Sequence, residues 1–244
     1  MFEFWRCELL SNLIWTSLHD IIRREFGFSY EEDFAAAEVL DLVLQGFSKT
    51  RSETLGSLRK LIQGSRTLVV GAGPGCEKIS RFVSLYDVVV AADGALRCCR
   101  YAGVEPQVVV TDLDGVDLSD LVSFNGFIVV HAHGDNVNKL VSWTPLLKKK
   151  KVLGTSQVLH TTSNVSFSGG FTDGDRAVYL VLENGAAEVG LIGFDFRGIV
   201  GRYSKPNLKN EIPASSVKQR KLYWCKILID LMRLNYGCRI DYVA

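Results

Sequence analysis

The run Val108-Val109-Val110-Thr111-Asp112-Leu113-Asp114-Gly115 decides how this chain is read. It is an apolar stretch that stops abruptly at carboxylates and glycine. Two neighbouring stretches repeat the pattern. Ala91-Ala92-Asp93-Gly94-Ala95 lies upstream, and His131-Ala132-His133-Gly134-Asp135-Asn136 closes the apolar run that begins at Phe127. Continuous valine or isoleucine runs suit parallel strands covered on both faces. Open α/β sheets place their chemistry outside the carboxyl ends of such strands. A row of acids at that edge points to a divalent cation and a phosphorylated ligand.

Working outward, the pattern predicts strands over 68–71, 88–92, 108–111, 127–131, 152–155 and 189–192, with helical patterns between most of them. That alternation gives an α/β fold with a doubly wound, mostly parallel sheet. A long helix over 215–234 and a terminal strand over 239–243 complete it. Residues 1–64 read as an N-terminal helical segment, and 65–244 as the α/β catalytic domain. Ser29-Tyr30-Glu31-Glu32 has the form of a capping box. Phe34, Val39, Leu40, Leu42, Val43 and Leu44 follow at roughly helical spacing. A further helix over 52–62 ends at Gly64. The segment reads as a cap on the main domain or on a partner subunit, and is compatible with a homodimer.

Composition narrows the class. With 244 residues, 47% of them hydrophobic, the chain can bury a sizeable core. A net charge of +1 gives no reason to expect a nucleic-acid partner. The run Lys148-Lys149-Lys150-Lys151 reads as a solvated helix end. No apolar stretch approaches the ~18 residues of a membrane span. The first residues lack the charged and apolar regions of a secretory signal. The cysteines at 7, 76, 98, 99, 225 and 238 show no metal-ligand spacing, so they read as reduced thiols of a cytoplasmic protein.

Gly71-Ala72-Gly73-Pro74-Gly75 fits both a tight strand-to-helix turn and a loop approaching phosphate at a helix start. It matches neither the Walker nor the dinucleotide pattern, because no Gly-Lys-Ser/Thr follows and Cys76 stands where the last glycine belongs. In extended chain Asp112 and Asp114 face the same side, where their repulsion invites a cation; the bland alternative is a turn at Asp114-Gly115. His131 and His133 lack the further ligands of a zinc site, since His19 and His160 sit at unrelated spacings. Phosphate hydrogen bonding or acid–base assistance suits them better. Asp135 also reads as a helix N-cap. Thr172 and Asp175 form a capping box, which leaves Asp173 and the glycines at 169 and 170 unexplained. Asp195, between Phe194 and Phe196, meets a flat heterocycle or caps its loop.

The ordered set of these motifs, with Gly170-Phe171-Thr172-Asp173-Gly174-Asp175-Arg176-Ala177 and Tyr203-Ser204-Lys205, resembles the archaeal 6-hydroxymethyl-7,8-dihydropterin pyrophosphokinases. Their core is similar to that of thiamin pyrophosphokinases. The likeness runs from about Thr67 to the C-terminus. It implies transfer of diphosphate from ATP to the pterin hydroxymethyl oxygen with magnesium and release of AMP, in folate or methanopterin biosynthesis. On that reading Asp112 and Asp114 hold Mg2+, with Asp135 or Asp173 adding a further contact. His131 or His133 steadies the triphosphate or takes the hydroxyl proton. Gly71, Gly73, Gly75, Asp93, Gly94, Asp173, Asp175, Arg176, Lys205, Lys218 and Lys221 serve ATP and its phosphates. Phe171, Thr172, Phe194, Phe196 and Tyr203 serve the pterin, with Asp195 at its guanidine-like edge. The spacing to Asp173 and Asp175 departs from the thiamin enzymes, which do not clearly share His131, His133 and Asp135 either. Thiamin as acceptor, a metal-dependent phosphohydrolase and a non-catalytic nucleotide-binding module are the rival readings.

Overall fold

The computed structural model describes residues 2–47, 49–159 and 163–243, with side chains described from residue 12 onward. His160 and the Cys7 side chain lie outside the described residues. The chain begins with α1 (Phe2–Phe26), α2 (Tyr30–Gln45) and α3 (Arg51–Ile62). Strand and helix then alternate as β1 (Arg66–Val70), β2 (Val88–Ala92), α4 (Ala95–Tyr101), β3 (Val108–Thr111), α5 (Leu118–Val122) and β4 (Phe127–Ala132). Next come α6 (Val137–Ser142), α7 (Thr144–Leu147), β5 (Lys151–Ser156), β6 (Val165–Phe167), α8 (Asp173–Glu183) and β7 (Glu188–Ile192). A small antiparallel ribbon of β8 (Ile199–Val200) and β9 (Ile212–Pro213) precedes α9 (Ser216–Asn235) and β10 (Arg239–Tyr242).

Eight strands form one sheet in the order β10-β7-β1-β2-β3-β4-β5-β6, and every pairing is parallel. Alternate side chains of the valine runs enter two cores. Val69, Val90, Val108 and Val110 join α8 and α9 through Val178, Val181, Leu228 and Ile229. Leu68, Val70, Val89, Ala91 and Val109 join the opposite layer, where Leu96, Leu121 and Leu140 lie. Both faces are therefore dry, as the unbroken apolar runs require. The N-terminal helices are integral to these cores: Trp15, Ile22, Leu58 and Ile62 enter the first, and Ala36, Leu40 and Leu44 the second. No helix among the described residues is long and apolar enough to cross a membrane.

The expected strands are present within a residue or two at their ends, and the doubly wound sheet is as read. β6 escaped the pattern because it is short and carries Ser166 at its centre. Ser29 does cap α2, accepting from the Glu32 amide at 3.2 Å, but the reciprocal half of the box is absent: its hydroxyl instead donates to Glu31. Lys150 is more than a solvated cation, because its ammonium donates to the carbonyls of Val122 at 2.6 Å and Phe124 at 2.7 Å, at the end of α5.

The reduced-thiol expectation is corrected. Cys76 and Cys98 form a disulfide with Cα atoms 6.3 Å apart, while Cys99, Cys225 and Cys238 are free thiols. The pair was hidden because one cysteine follows β1 and the other lies on α4, and only the packing of those segments brings them together. Crosslinking residues 22 apart in sequence should stabilise the fold by about 3 kcal/mol through the unfolded chain. The Cys76→Ser/Cys98→Ser variant should unfold at clearly lower urea concentration, and an unchanged midpoint would contradict the crosslink.

Candidate active site

Strand order reverses at β1, which pairs with β2 on one side and β7 on the other. Crevices open at such switch points. A cleft of about 120 Å³ lies there, walled by Gly73, Asp93, Asp173, Phe194, Lys218 and Leu222 among others. Gly71 and Gly193 pack loop against loop at its floor. A Cβ on Gly71 would stand 2.5 Å from the Gly193 carbonyl oxygen, so only glycine fits. The amides of Gly71 and Gly73 donate to Ile192 and Gly193 carbonyls at 2.8 and 2.9 Å. Both amides are committed to the fold.

Three acids meet beside this cleft. Asp93, Asp112 and Asp173 each present a carboxylate oxygen, and these oxygens lie within 4.8 Å of one another. The first two follow neighbouring strands, β2 and β3, and the third opens α8. Asp93 and Leu113 are the two non-glycine residues with positive φ among those described, at 52° and 70°. Such conformations cost roughly 1–3 kcal/mol each and persist where surroundings enforce them. Thr111 enforces both, its Oγ1 donating to Asp93 at 2.7 Å and accepting from the Leu113 amide at 2.8 Å. Gly115 must lack a side chain, because a Cβ would fall 1.8 Å from Asp93 Oδ2.

Electrostatics within the triad is lopsided. Burial, then the charge of Asp112, pushes the Asp93 carboxyl up to about 6. Burial, followed by Asp112 and Asp93, raises Asp173 well above the usual carboxylate range. Burial also opposes ionisation of Asp112, but the hydrogen bond and ring of His133, the Arg176 guanidinium and the Asp114 amide together hold it below its ordinary value. Asp173 Oδ1 is buried without a hydrogen bond, and Arg176 Nη1 stands 3.7 Å away. Clustered oxygens that repel one another in this way fit a hard divalent cation, which takes carboxylate oxygen and keeps waters for a phosphate.

Asp114 is turned out of the triad. Left-handed Leu113 breaks the alternation of the strand, so Asp114 is exposed and ion-paired with Lys205. Its amide still donates to Asp112 Oδ1 at 2.9 Å. Asp135 is also exposed and outside the cluster. His131 is fully buried, with Nδ1 3.1 Å from Thr155 Oγ1; burial, aided by Arg176, depresses its pKa well below the usual value. It is neutral structure behind the site. His133 Nδ1 accepts from the Asp135 amide at 3.3 Å, so Nε2 carries the proton and donates to Asp112 Oδ2 at 3.3 Å. Neither ring is left poised as a base.

The remaining expected residues divide. Lys218 and Phe194 line the cleft with Thr172, Asp195 and Phe196. Asp175 is wholly buried and serves the capping box, accepting from the amides of Phe171 at 2.7 Å and Thr172 at 2.8 Å. Asp195 accepts from Arg197 N and Nε and from Ile199 N, which makes it a loop cap. Tyr203 packs by Tyr101 and Arg202, and its carbonyl accepts from Arg97 at 2.9 Å and crowds Gly94, where a Cβ would fall 1.9 Å from it. Gly75 turns with φ 79° ahead of the short helix at Cys76. Phe171 clusters with Phe26 and Phe28, and the Lys221 ammonium sits over all three rings. Sequence reasoning quoted Asn136 within its motif without giving it a role, yet its Nδ2 donates to the carbonyls of Asp112 at 2.8 Å and His131 at 2.7 Å; it missed Lys139, which donates to Leu113 O at 2.7 Å.

Fold and site together define a doubly wound α/β protein with an acidic cleft at its topological switch point. Residues 43–199 match the family described as 6-hydroxymethylpterin diphosphokinase MptE-like. The 6-hydroxymethyl-7,8-dihydropterin pyrophosphokinase of Pyrococcus furiosus is 41% identical over 231 residues, 93% of this chain and 96% of that protein. The proteins of the same name from Methanothermobacter thermautotrophicus and Methanocaldococcus jannaschii are 36% and 33% identical, covering 93% and 90% of this chain and 97% and 94% of their own. The chain belongs to the 6-hydroxymethylpterin diphosphokinase MptE-like family. At that coverage the likeness extends into the N-terminal helices, beyond the region the motifs marked.

The triad has a measurable cost in the metal-free protein. A carboxyl raised in the folded state stabilises fully below its unfolded pKa, and that contribution is lost as pH climbs through about 6 for Asp93. In EDTA at neutral pH, Asp93→Asn should therefore raise Tm and flatten its dependence on pH near 6. A lower Tm for that variant would contradict mutual repulsion in the cluster.

Proposed function

We propose that this chain is a cytoplasmic enzyme that transfers the diphosphoryl group of ATP to the hydroxymethyl oxygen of 6-hydroxymethyl-7,8-dihydropterin, releasing AMP, in pterin cofactor biosynthesis. The observation that carries the reading is the meeting of Asp93, Asp112 and Asp173 within 4.8 Å, in a chain of this family. These three carboxylates would hold Mg2+, which when bound neutralises polyphosphate charge and orients the β-phosphoryl group. Asp112, kept ionised by His133 and Arg176, would supply the first anionic ligand. Asp93 and Asp173 would serve the cation in their ionised forms.

The acceptor oxygen forms its bond to the β-phosphorus while the bridge to the α-phosphorus breaks, and AMP leaves with the bridging oxygen. Such transfer depends on alignment and charge neutralisation more than on a strong base. Lys218, in the cleft wall, and Arg176, beside Asp173, offset the developing negative charge. The hydroxyl proton passes to water, since His133 Nε2–H is occupied in holding Asp112 and His131 is sealed from solvent. Phe194 offers its ring to the pterin. Asp114 and Lys205, paired at the rim, steady the loop that carries Asp112.

The test is AMP formation from ATP with a panel of acceptors. The pterin alcohol should support it and thiamin should not, and EDTA should abolish it. Asp112→Asn should lose ~10²-fold or more in kcat, on the scale of preorganised electrostatic groups. AMP formed equally well by that variant, or phosphate released without an acceptor, would overturn the reading.

A further inference from the structure

Asp33 lies far in sequence from every motif of the site, in the first turn of α2, and is only 4% exposed. Both of its oxygens are spent on the catalytic domain. Oδ1 accepts from the Gly134 amide at 3.1 Å, in the loop that carries His133. Oδ2 accepts from Gln157 Nε2 at 2.5 Å, just beyond β5. Gln157, equally buried, turns its Oε1 to accept from Arg176 Nη2 at 3.3 Å. Arg176 in turn stands 3.7 Å from Asp173. A continuous buried path thus links the N-terminal helices to the acid that opens α8.

The chemistry of the path fixes its direction. A carboxylate only accepts and a guanidinium only donates, so the amide between them has one satisfied orientation. With Asp33 at one end, Gln157 must present its NH2 to Asp33 and its carbonyl to Arg176. We propose that Asp33 is a positioning residue of the transfer reaction, which sets the polarity of Gln157 and thereby holds Arg176 against Asp173 while fixing the His133 loop through Gly134. An asparagine in place of Asp33 would keep its carbonyl toward the Gly134 amide and turn its NH2 toward Gln157. The Gln157 amide would then rotate and meet Arg176 donor against donor, and an unmatched buried group is costly. Arg176 would be displaced from the acidic triad. Its activity readout rests on the diphosphokinase reading above; the polarity argument itself does not.

The experiment is a cycle of Asp33→Asn, Gln157→Glu and the two combined, in the full chain. Asp33→Asn should lower kcat about tenfold or more with little change in pterin KM, since small misplacements of charge near the reacting atoms cost 10- to ~10²-fold. Gln157→Glu sets two carboxylates face to face and should lower kcat at least as far. The double variant restores an acceptor toward Arg176, a donor toward residue 157 and the original net charge, and should return to within about threefold of wild type. A merely structural loss at Asp33 would lower Tm and the yield of folded protein but leave the kcat of the folded fraction unchanged. Wild-type kcat in Asp33→Asn overturns the proposal, as does a double variant whose turnover stays at the level of the single variants. Should Asp33→Asn fail to fold, Gln157→Glu and the double variant decide on the same terms. The rise of Tm with added Mg2+ gives a second readout, expected to shrink in the single variants and return in the double. If wild type forms no AMP, the reading of the reaction fails while this second readout still judges the path.

Discussion

Three carboxylates that repel one another are forced together at one edge of a parallel sheet, and most of the local architecture serves that constraint. Asp93 and Asp112 end neighbouring strands, and Asp173 starts the helix packed beneath them. Left alone, Asp93 and Asp173 hold protons more tightly than ordinary carboxylates, whereas Asp112 is kept ionised. The arrangement makes sense if the folded chain is one half of a complex completed by a cation and a polyphosphate. Core burial supplies the stability from which this local cost is met, through two cores that enclose both faces of the sheet.

Around the triad lies a set of groups that never need to touch substrate. Thr111 holds the two left-handed residues, Asn136 ties the Asp112 and His131 carbonyls together, and Lys139 fastens Leu113. The Cys76–Cys98 bond joins the loop after β1 to the helix after β2. From the other direction, His19 of α1 contacts the Gly170 carbonyl at 2.8 Å, and Asp33 of α2 reaches Gly134 and Gln157. The N-terminal helices therefore brace the site as well as covering the sheet.

How much of this was legible in the sequence follows from the range of the forces involved. Unbroken valine runs announce buried parallel strands, and the polar residues that end them mark the functional edge. Asp112 and Asp173 stood out on that basis. Asp93 was visible but read as a phosphate neighbour, because its place beside Asp112 depends on the lateral pairing of β2 with β3. Asp114 was grouped with Asp112 by the alternation of extended chain, and the positive φ of Leu113 undoes that alternation. Asp195 and Asp175 belong to their own loops, the local competition that acidic residues at turns and helix starts always pose. Asn136 lay inside a quoted motif but was given no role, while Gln157 and Asp33 carried no signal at all. Their roles arise from contacts more than a hundred residues apart in the case of Asp33.

The most direct measurement is the position of a bound divalent cation. A crystal of the protein with Mn2+ and a non-hydrolysable ATP analogue, recorded at the manganese absorption edge, locates the ion independently of any assumption about the reaction. One strong peak is expected at roughly 2.0–2.3 Å from carboxylate oxygens of Asp93, Asp112 and Asp173, with phosphate oxygens completing its shell. A peak held by Asp114 or Asp135 instead, or a nucleotide bound with the triad left bare, would contradict this assignment.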